Sequence, residues 1–405
     1  MIYTLKNGIR LLHIKAVSPV VYCGFAINAG TRDELENEHG IAHLVEHLLF
    51  KGTKKRNSWQ IIDRLEAVGG ELDAYTTKEE TFIYSIVQQK YCERAVELLS
   101  DIVFNSTLPP NELEKEKTVV LDEIQSYNDS PSELIFDEFE ELIFSNSPLG
   151  RNILGTENSL KKFSSNDLQK FVNRCYTTDN ILFFVYGNIS FEKILKLVEK
   201  YFDVPSSQRS FQRNSLKNYF PQNIETNKDT YQTHCLIGNR ASHLKDKKRL
   251  AQVLLNNILG GPLLSSRLNL ALRERNGLVY SIDSSLTPYT DTGVWSIYFG
   301  CDKDNFEKCT KLIYKELDIL QNKEISEKEL KKAKKQFAGQ LLISYQNKEN
   351  YILAAAKMAL HLNFLETQEK ILEKINQITA QELQSIAQDL FDIEKLTVLK
   401  FVALP

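Results

Sequence analysis

The sequence predicts an α+β protein built from two similar domains. The chain has 405 residues, too many for one compact core of ordinary size. Strand and helix patterns occur in both halves. Residues 64–75 run from an Arg-Leu pair through glycine to tyrosine, and residues 267–280 loosely repeat that order. These observations indicate a duplicated α/β unit.

In the first half, apolar periodicity and β-branched content predict strands and helices in mixed order. Gly69 and Gly70 are expected to end one of the helices. The predicted elements are strands over 10–16 and 20–29, helices over 40–50 and 58–68, strands over 71–77 and 81–87, and helices over 92–104 and from 112 onward.

A stretch of weak periodicity predicts the boundary between the domains. Residues 205–229 are rich in Ser, Gln, Asn and Lys, as is typical of a linker. We therefore expect domains at 1–212 and 213–405. Beyond the linker, the predicted elements are a strand over 231–238, helices over 248–259 and 264–275, and a strand over 278–286.

Composition argues against several classes of protein. The net charge is −3, from 50 basic and 53 acidic residues, so a nucleic-acid partner is not expected. No apolar run approaches the roughly 20 residues that span a bilayer. The six cysteines include no C-x-x-C pair and indicate reduced thiols. With no signal-like segment at Met1, a soluble, cytoplasmic protein is expected.

The motif with the clearest chemistry is His43-Leu-Val-Glu46-His47. On a helix, both histidines lie one turn apart on one face and can bind one metal ion. Catalytic zinc takes three protein ligands, and Glu123, in a later acidic helix, is the candidate for the third. His39 is expected to precede the helix rather than bind. The alternative is an amphipathic helix with two ordinary histidines.

These residues resemble the inverted-zincin metallopeptidases, the family of pitrilysin, insulin-degrading enzyme and the mitochondrial processing peptidase. The resemblance runs nearly end to end, and it implies two homologous α/β domains, each a mixed sheet packed with helices. The resemblance further implies that the two domains form half of a clamshell, which dimerisation would complete. The resemblance rests on segments 40–47, 50–53, 72–76, 116–123, 266–268 and 273–280.

The resemblance also implies roles for the motif residues. His43, His47 and Glu123 would hold one Zn²⁺ per chain, and Glu46 would act as general base on a water molecule. Glu116 lies seven residues before Glu123, on the same helix face, and would orient a histidine ligand. The alternative for Glu116 is a solvated helix carboxylate.

In the second half, the resemblance assigns Arg273 and Tyr280 to the binding of substrate backbone and to stabilisation of the oxyanion. A guanidinium and a phenol are suitable donors to a carbonyl oxygen that gains charge. The alternative is an arginine that complements a helix C-terminus and a tyrosine in the core.

The segment 71–77 resembles the family's edge strand, to which an extended peptide adds by main-chain hydrogen bonds. Asp73, Ala74 and Tyr75 are the expected substrate-binding residues. Asp73 stands where the family usually has asparagine, and a carboxylate cannot donate as an amide does. Phe50 is expected to line a pocket beside the scissile bond or to pack in the core.

The predicted function is a zinc-dependent endopeptidase that hydrolyses short or unfolded peptides inside an enclosed cavity. Because one chain carries both the zinc motif and the arginine-tyrosine pair, we expect a homodimer in which the second domain of one subunit serves the zinc site of the other. A heterodimer with a related subunit is the variant. The alternative functions are a noncatalytic scaffold or assembly subunit and a presequence-processing peptidase.

Overall fold

The computed structural model describes residues 1–403. Its strands are β1 (Ile2–Thr4), β2 (Arg10–Lys15), β3 (Val20–Ile27), β4 (Glu71–Thr76), β5 (Thr81–Gln88), β6 (Ile181–Gly187), β7 (Asn223–Lys228), β8 (Thr233–Ala241), β9 (Val279–Pro288), β10 (Gly293–Cys301) and β11 (Thr397–Ala403).

The α-helices lie between these strands, singly or in runs. They are α1 (Ile41–Leu49), α2 (Ser58–Glu66), α3 (Cys92–Asn105), α4 (Pro110–Asn128), α5 (Pro131–Ile143), α6 (Glu157–Leu160), α7 (Ser165–Cys175), α8 (Phe191–Tyr201), α9 (Arg249–Gly260), α10 (Phe306–Asn322), α11 (Glu327–Ser344), α12 (Lys348–Leu362), α13 (Gln368–Gln377) and α14 (Ala380–Leu390).

The chain forms two compact units. Unit 1 contains 1–125, 151–214 and 345–365, and unit 2 contains 126–150, 215–344 and the stretch from Glu366 onward. The sequence predicted one boundary between residues 212 and 213, whereas the contacts group 126–150 with later residues and 345–365 with earlier ones. Periodicity shows that a helix has an apolar face, but it does not show which sheet that face covers.

Unit 1 is built on a six-stranded sheet in the order β1-β2-β6-β3-β5-β4. β2 and β6 are parallel, and the other neighbours are antiparallel. One face of the sheet packs against α1, α3 and α8 in a large apolar core. The other face is covered by α12. In the strand order, β4 is the last strand and pairs only with β5, so it is an edge strand.

Unit 2 is built on a five-stranded sheet in the order β7-β11-β8-β10-β9. β7 and β11 are parallel, and the remaining neighbours are antiparallel. This is the pattern of β2-β6-β3-β5-β4 in unit 1, so the predicted duplication of an α/β unit is confirmed at the level of topology. Helices α9, α10 and α14 pack on one face and α5 on the other.

Two local predictions need correction. The stretch 205–229 was predicted to be a linker, but 223–228 is strand β7, paired in parallel with β11. An exposed edge strand made mostly of polar residues has no apolar stripe, so its sequence resembles that of a loop. The helix predicted over 264–275 has a π-helical segment, Asn269–Glu274, in its second half.

Among residues 1–403, the structure contains no helix with both the length and the apolar character needed to span a bilayer.

Candidate metal centre

Helix α1 carries the histidine motif, and a buried carboxylate fixes its first turn. Gly40 precedes the helix with φ = 92°, a left-handed conformation that glycine adopts without strain, and it has no side chain to cap the helix. Glu34 takes that role: its carboxylate accepts hydrogen bonds from the amides of Gly40 and Ala42 at 3.0 to 3.1 Å. Burial raises the pKa of Glu34 to about 8. The start of α1 is thus set by Glu34, which lies six positions before Gly40, the residue that precedes the helix.

Three side chains meet beside this helix. His43 Nε2 and His47 Nε2 each lie 3.8 Å from Glu123 Oε2, which comes from α4. One donor atom from each residue lies within 4.8 Å of the other two. The sequence interpretation chose these three residues, and the fold brings them together. His39 points elsewhere, with Nε2 3.0 Å from the carbonyl oxygen of Asn152.

The three side chains fit a zinc ion. Two imidazole nitrogens and one carboxylate oxygen form a common catalytic donor set, and tetrahedral zinc holds such atoms about 3.4 Å apart. The carboxylate oxygen lies 3.8 Å from each imidazole nitrogen, and all three donor atoms lie within 4.8 Å of one another, so small side-chain movements would bring them to zinc-bond distances. Burial, and next the proximity of His47, lower the pKa of His43 to about 3, so its imidazole is neutral, as a ligand must be.

Glu116 is hydrogen-bonded to one of the imidazoles. His47 Nδ1 donates to Glu116 Oε2 at 3.0 Å, which leaves Nε2 directed at Glu123. The other oxygen of Glu116 lies 2.8 Å from Lys51 Nζ. Glu116 is 6% exposed, so the solvated-carboxylate alternative does not describe it. Lys51 is a partner that sequence reasoning missed, although it is one turn after His47.

Glu46 lies beside the cluster and is held from the edge strand. The Thr76 hydroxyl donates to Glu46 Oε2 at 2.7 Å. Burial raises the pKa of Glu46, and the Thr76 hydrogen bond opposes that shift. In the sequence, Thr76 stands out only as a member of the segment 72–76. Its contact with Glu46 could not be read from the sequence, because thirty residues separate the two and the side chain is small and common.

The expected substrate-binding residues lie on β4 and at the end of α1. Asp73, Ala74 and Tyr75 belong to edge strand β4, and the Tyr75 ring stacks on Phe82 with a centroid distance of 4.9 Å. Phe50 is the residue that follows α1, and its half-buried side chain packs against the core of unit 1. That contact agrees with the core alternative for Phe50.

The arginine and tyrosine of the second half form a pair within unit 2. Arg273 lies in the π-helical segment, and its Cζ atom is 5.8 Å from the centroid of the Tyr280 ring. Tyr280, on edge strand β9, is 81% exposed, so it is not the core tyrosine of the alternative reading.

Two models of known protein families match the chain. The family model described as Insulinase (Peptidase family M16) matches residues 11–157, which include all three residues of the metal cluster. The model described as Peptidase M16 inactive domain matches residues 162–337.

Two bacterial proteins show how far the similarity extends. The chain is 32% identical over 390 residues to the uncharacterized zinc protease YmxG of Bacillus subtilis, across 96% of this chain and 95% of that protein. It is 31% identical over 397 residues to an uncharacterized zinc protease of Rickettsia bellii, across 96% and 94%.

Two solved structures have the same fold. A peptidase M16 inactive domain from Pseudomonas fluorescens superposes with a TM-score of 0.92 at 19% identity, covering 100% of this chain and 98% of that one. A protease from Helicobacter pylori gives 0.89 at 21% identity, covering 100% and 99%. The two family models, together with relatives above 30% identity over nearly their whole length, establish that the chain belongs to the insulinase family, peptidase family M16.

Proposed function

We propose that this protein is a zinc-dependent endopeptidase that hydrolyses short or unfolded peptides bound as an added strand on β4. The observation that carries the proposal is the convergence of His43, His47 and Glu123, with Glu46 beside them. This set supplies three metal ligands and a separate carboxylate that can move a proton. A structural ion site needs no such carboxylate.

Zinc, when bound, supplies Lewis acidity that polarises a carbonyl group and makes water more acidic. The chain's own residues do the remaining work. Glu46 Oε2 is fixed by the Thr76 hydroxyl, which leaves Oε1 as the oxygen that takes the proton from the attacking water. The raised pKa of Glu46 makes it a stronger base than an exposed carboxylate. The same proton can then pass to the leaving amine.

The residues around the cluster hold its geometry. Glu116, fixed by Lys51, accepts the Nδ1 proton of His47 and keeps Nε2 available for the metal. We propose that Arg273 and Tyr280 donate hydrogen bonds to the main chain of the substrate and to the carbonyl oxygen as it gains charge. The exposed Tyr280 phenol can reach a ligand without rearrangement of the core.

Edge strand β4 is the proposed substrate platform. It is joined to β5 on one side and ends the sheet on the other, so it offers main-chain groups to an extended peptide. Thr76, the last residue of β4, contacts Glu46 directly. A peptide added along β4 therefore passes the catalytic carboxylate.

The proposal is tested by incubating the zinc-loaded protein with a mixture of quenched-fluorescence peptides and with a stably folded protein. We expect cleavage of the peptides at internal bonds and no cleavage of the folded protein. Zinc-loaded protein that cleaves no peptide would favour the scaffold function. Much faster cleavage of a basic presequence peptide than of random peptides would favour the presequence-processing function.

We also propose that the active protein is a homodimer with one Zn²⁺ per chain, since each chain carries both the metal cluster and the arginine-tyrosine pair. Gel filtration with light scattering should give twice the mass of one chain, and metal analysis should give one zinc per chain. A fully active monomer would contradict the homodimer. Activity that appears only after a related subunit is added would favour the heterodimer.

A further inference from the structure

The outward-facing main-chain groups of β4 can be identified from the turn that follows it. The Thr77 amide donates to the carbonyl of Glu80 at 2.8 Å, across the turn into β5. In an antiparallel pair, successive residues direct their main-chain groups alternately toward and away from the neighbouring strand. Counting back from Thr77, the residues that face away from β5 are Leu72, Ala74 and Thr76. A peptide added to β4 would pair with these groups.

The amide of Ala74 already has a partner from its own strand. Its N–H donates to Oδ1 of Asp73 at 2.8 Å. This bond agrees with the outward direction deduced from the turn. Hydrogen bonds to a charged acceptor are about twice as strong as those between neutral groups. A peptide carbonyl is a neutral acceptor, so it must replace a stronger one at Ala74.

The other oxygen of Asp73 is less firmly held. Asp73 Oδ2 lies 3.1 Å from the hydroxyl of Tyr84, which also lies 2.6 Å from Oε1 of Glu349 on α12. The hydroxyl has one proton, and the shorter contact favours Glu349 as its acceptor. Burial, and next the bond to Glu349, raise the pKa of Tyr84, so the phenol keeps that proton. The bond to Ala74 is therefore the firmest attachment of Asp73.

We propose that Asp73 is a removable cap on the substrate strand, whose carboxylate occupies the Ala74 amide and competes with the peptide main chain for it. This inference rests on the proposed binding of substrate as an added strand. If so, Asp73 sets the affinity of β4 for the substrate peptide. The cap also explains why an acidic side chain stands at this position, because a cap accepts a hydrogen bond and need not donate one. A charge on an exposed edge also discourages pairing with other chains.

Two measurements test the cap, one of them independent of peptidase activity. Amide hydrogen exchange at Ala74 is compared between the wild-type protein and Asp73→Ala. Peptide affinity is then measured in zinc-loaded Glu46→Gln protein, by fluorescence anisotropy of a labelled, uncharged, proline-free peptide. Asp73→Ala and Asp73→Asn are added to that background. Glu71→Ala is the matched control, because it removes a carboxylate from the same face of β4, two residues away.

We expect Asp73→Ala to lose protection at Ala74 by about tenfold and to bind the peptide about fivefold more tightly. Asp73→Asn keeps a neutral acceptor, so its exchange rate at Ala74 and its peptide affinity should lie between those of Asp73→Ala and of the protein with Asp73. Glu71→Ala should change neither quantity. Unchanged exchange at Ala74 would overturn the cap. If Asp73→Ala binds the peptide more weakly, or if the Glu46→Gln protein binds no peptide with or without Asp73→Ala, the carboxylate does not compete with the peptide for the Ala74 amide. Failure of the wild-type protein to cleave peptides would count against the proposed function alone.

Discussion

Replacing Glu46 with glutamine is expected to lower kcat for peptide hydrolysis by about a thousandfold while zinc content and peptide affinity stay the same. Glutamine has the size of glutamate, and its carbonyl oxygen can still accept the 2.7 Å hydrogen bond from Thr76. It cannot take a proton from water. The measurement is steady-state hydrolysis of a quenched-fluorescence peptide, together with metal analysis of the same preparations.

Thr76→Val is the matched control for this experiment, because it leaves the Glu46 carboxylate in place and removes only the bond that orients it. Its kcat should lie between those of wild type and Glu46→Gln. If zinc-loaded Glu46→Gln keeps more than a small fraction of wild-type kcat, another group is the base. If the variant has lost its zinc, the result says nothing about proton transfer, and Glu46 has instead a role in holding the metal.

Replacing Glu123 with alanine is expected to weaken zinc binding by about a hundredfold or more and to abolish hydrolysis at micromolar free zinc. The change removes the one carboxylate oxygen that lies 3.8 Å from both imidazole nitrogens. Titration with a competing chelator measures the affinity. Removal of zinc from the wild-type protein should likewise abolish activity, and added Zn²⁺ should restore it.

Asp122→Ala is the matched control, since this carboxylate is exposed and precedes Glu123 on α4. It should bind zinc like the wild-type protein. Glu116→Gln should weaken zinc binding by about tenfold to a hundredfold, because the imidazole of His47 loses its charged partner. Tight zinc binding by Glu123→Ala would show that another group supplies the third ligand, and the assignment of Glu123 would be wrong.

The sequence predicted well those features that depend on short-range periodicity. The pairing of His43 with His47 on one face follows from helix geometry, and α1 has the expected location. The seven-residue spacing of Glu116 and Glu123 on α4 follows from the same rule. The strands β4 and β5 were also located correctly, because aromatic and β-branched residues mark them.

The contacts between distant segments could not be predicted in this way. The assignment of α5 and α12 to their sheets depends on which apolar surface is left uncovered after the strands have paired. Strand β7 has no apolar stripe, and its partner β11 is far away in the sequence, near the C-terminal end of unit 2. The capping of α1 by Glu34 replaces the usual cap next to the helix, and nothing in the local sequence indicates it.

By itself, the sequence determined the class of protein and the candidate metal-binding motif. His43, Glu46 and His47 are near neighbours whose relative positions are fixed by one helix turn. Only the tertiary structure decided which distant residues meet that motif: Glu123 from α4, and Thr76 at the end of β4. Helix geometry fixes distances between residues a few positions apart. Distances between separate elements are set by the packing of all elements together, and no local pattern encodes them.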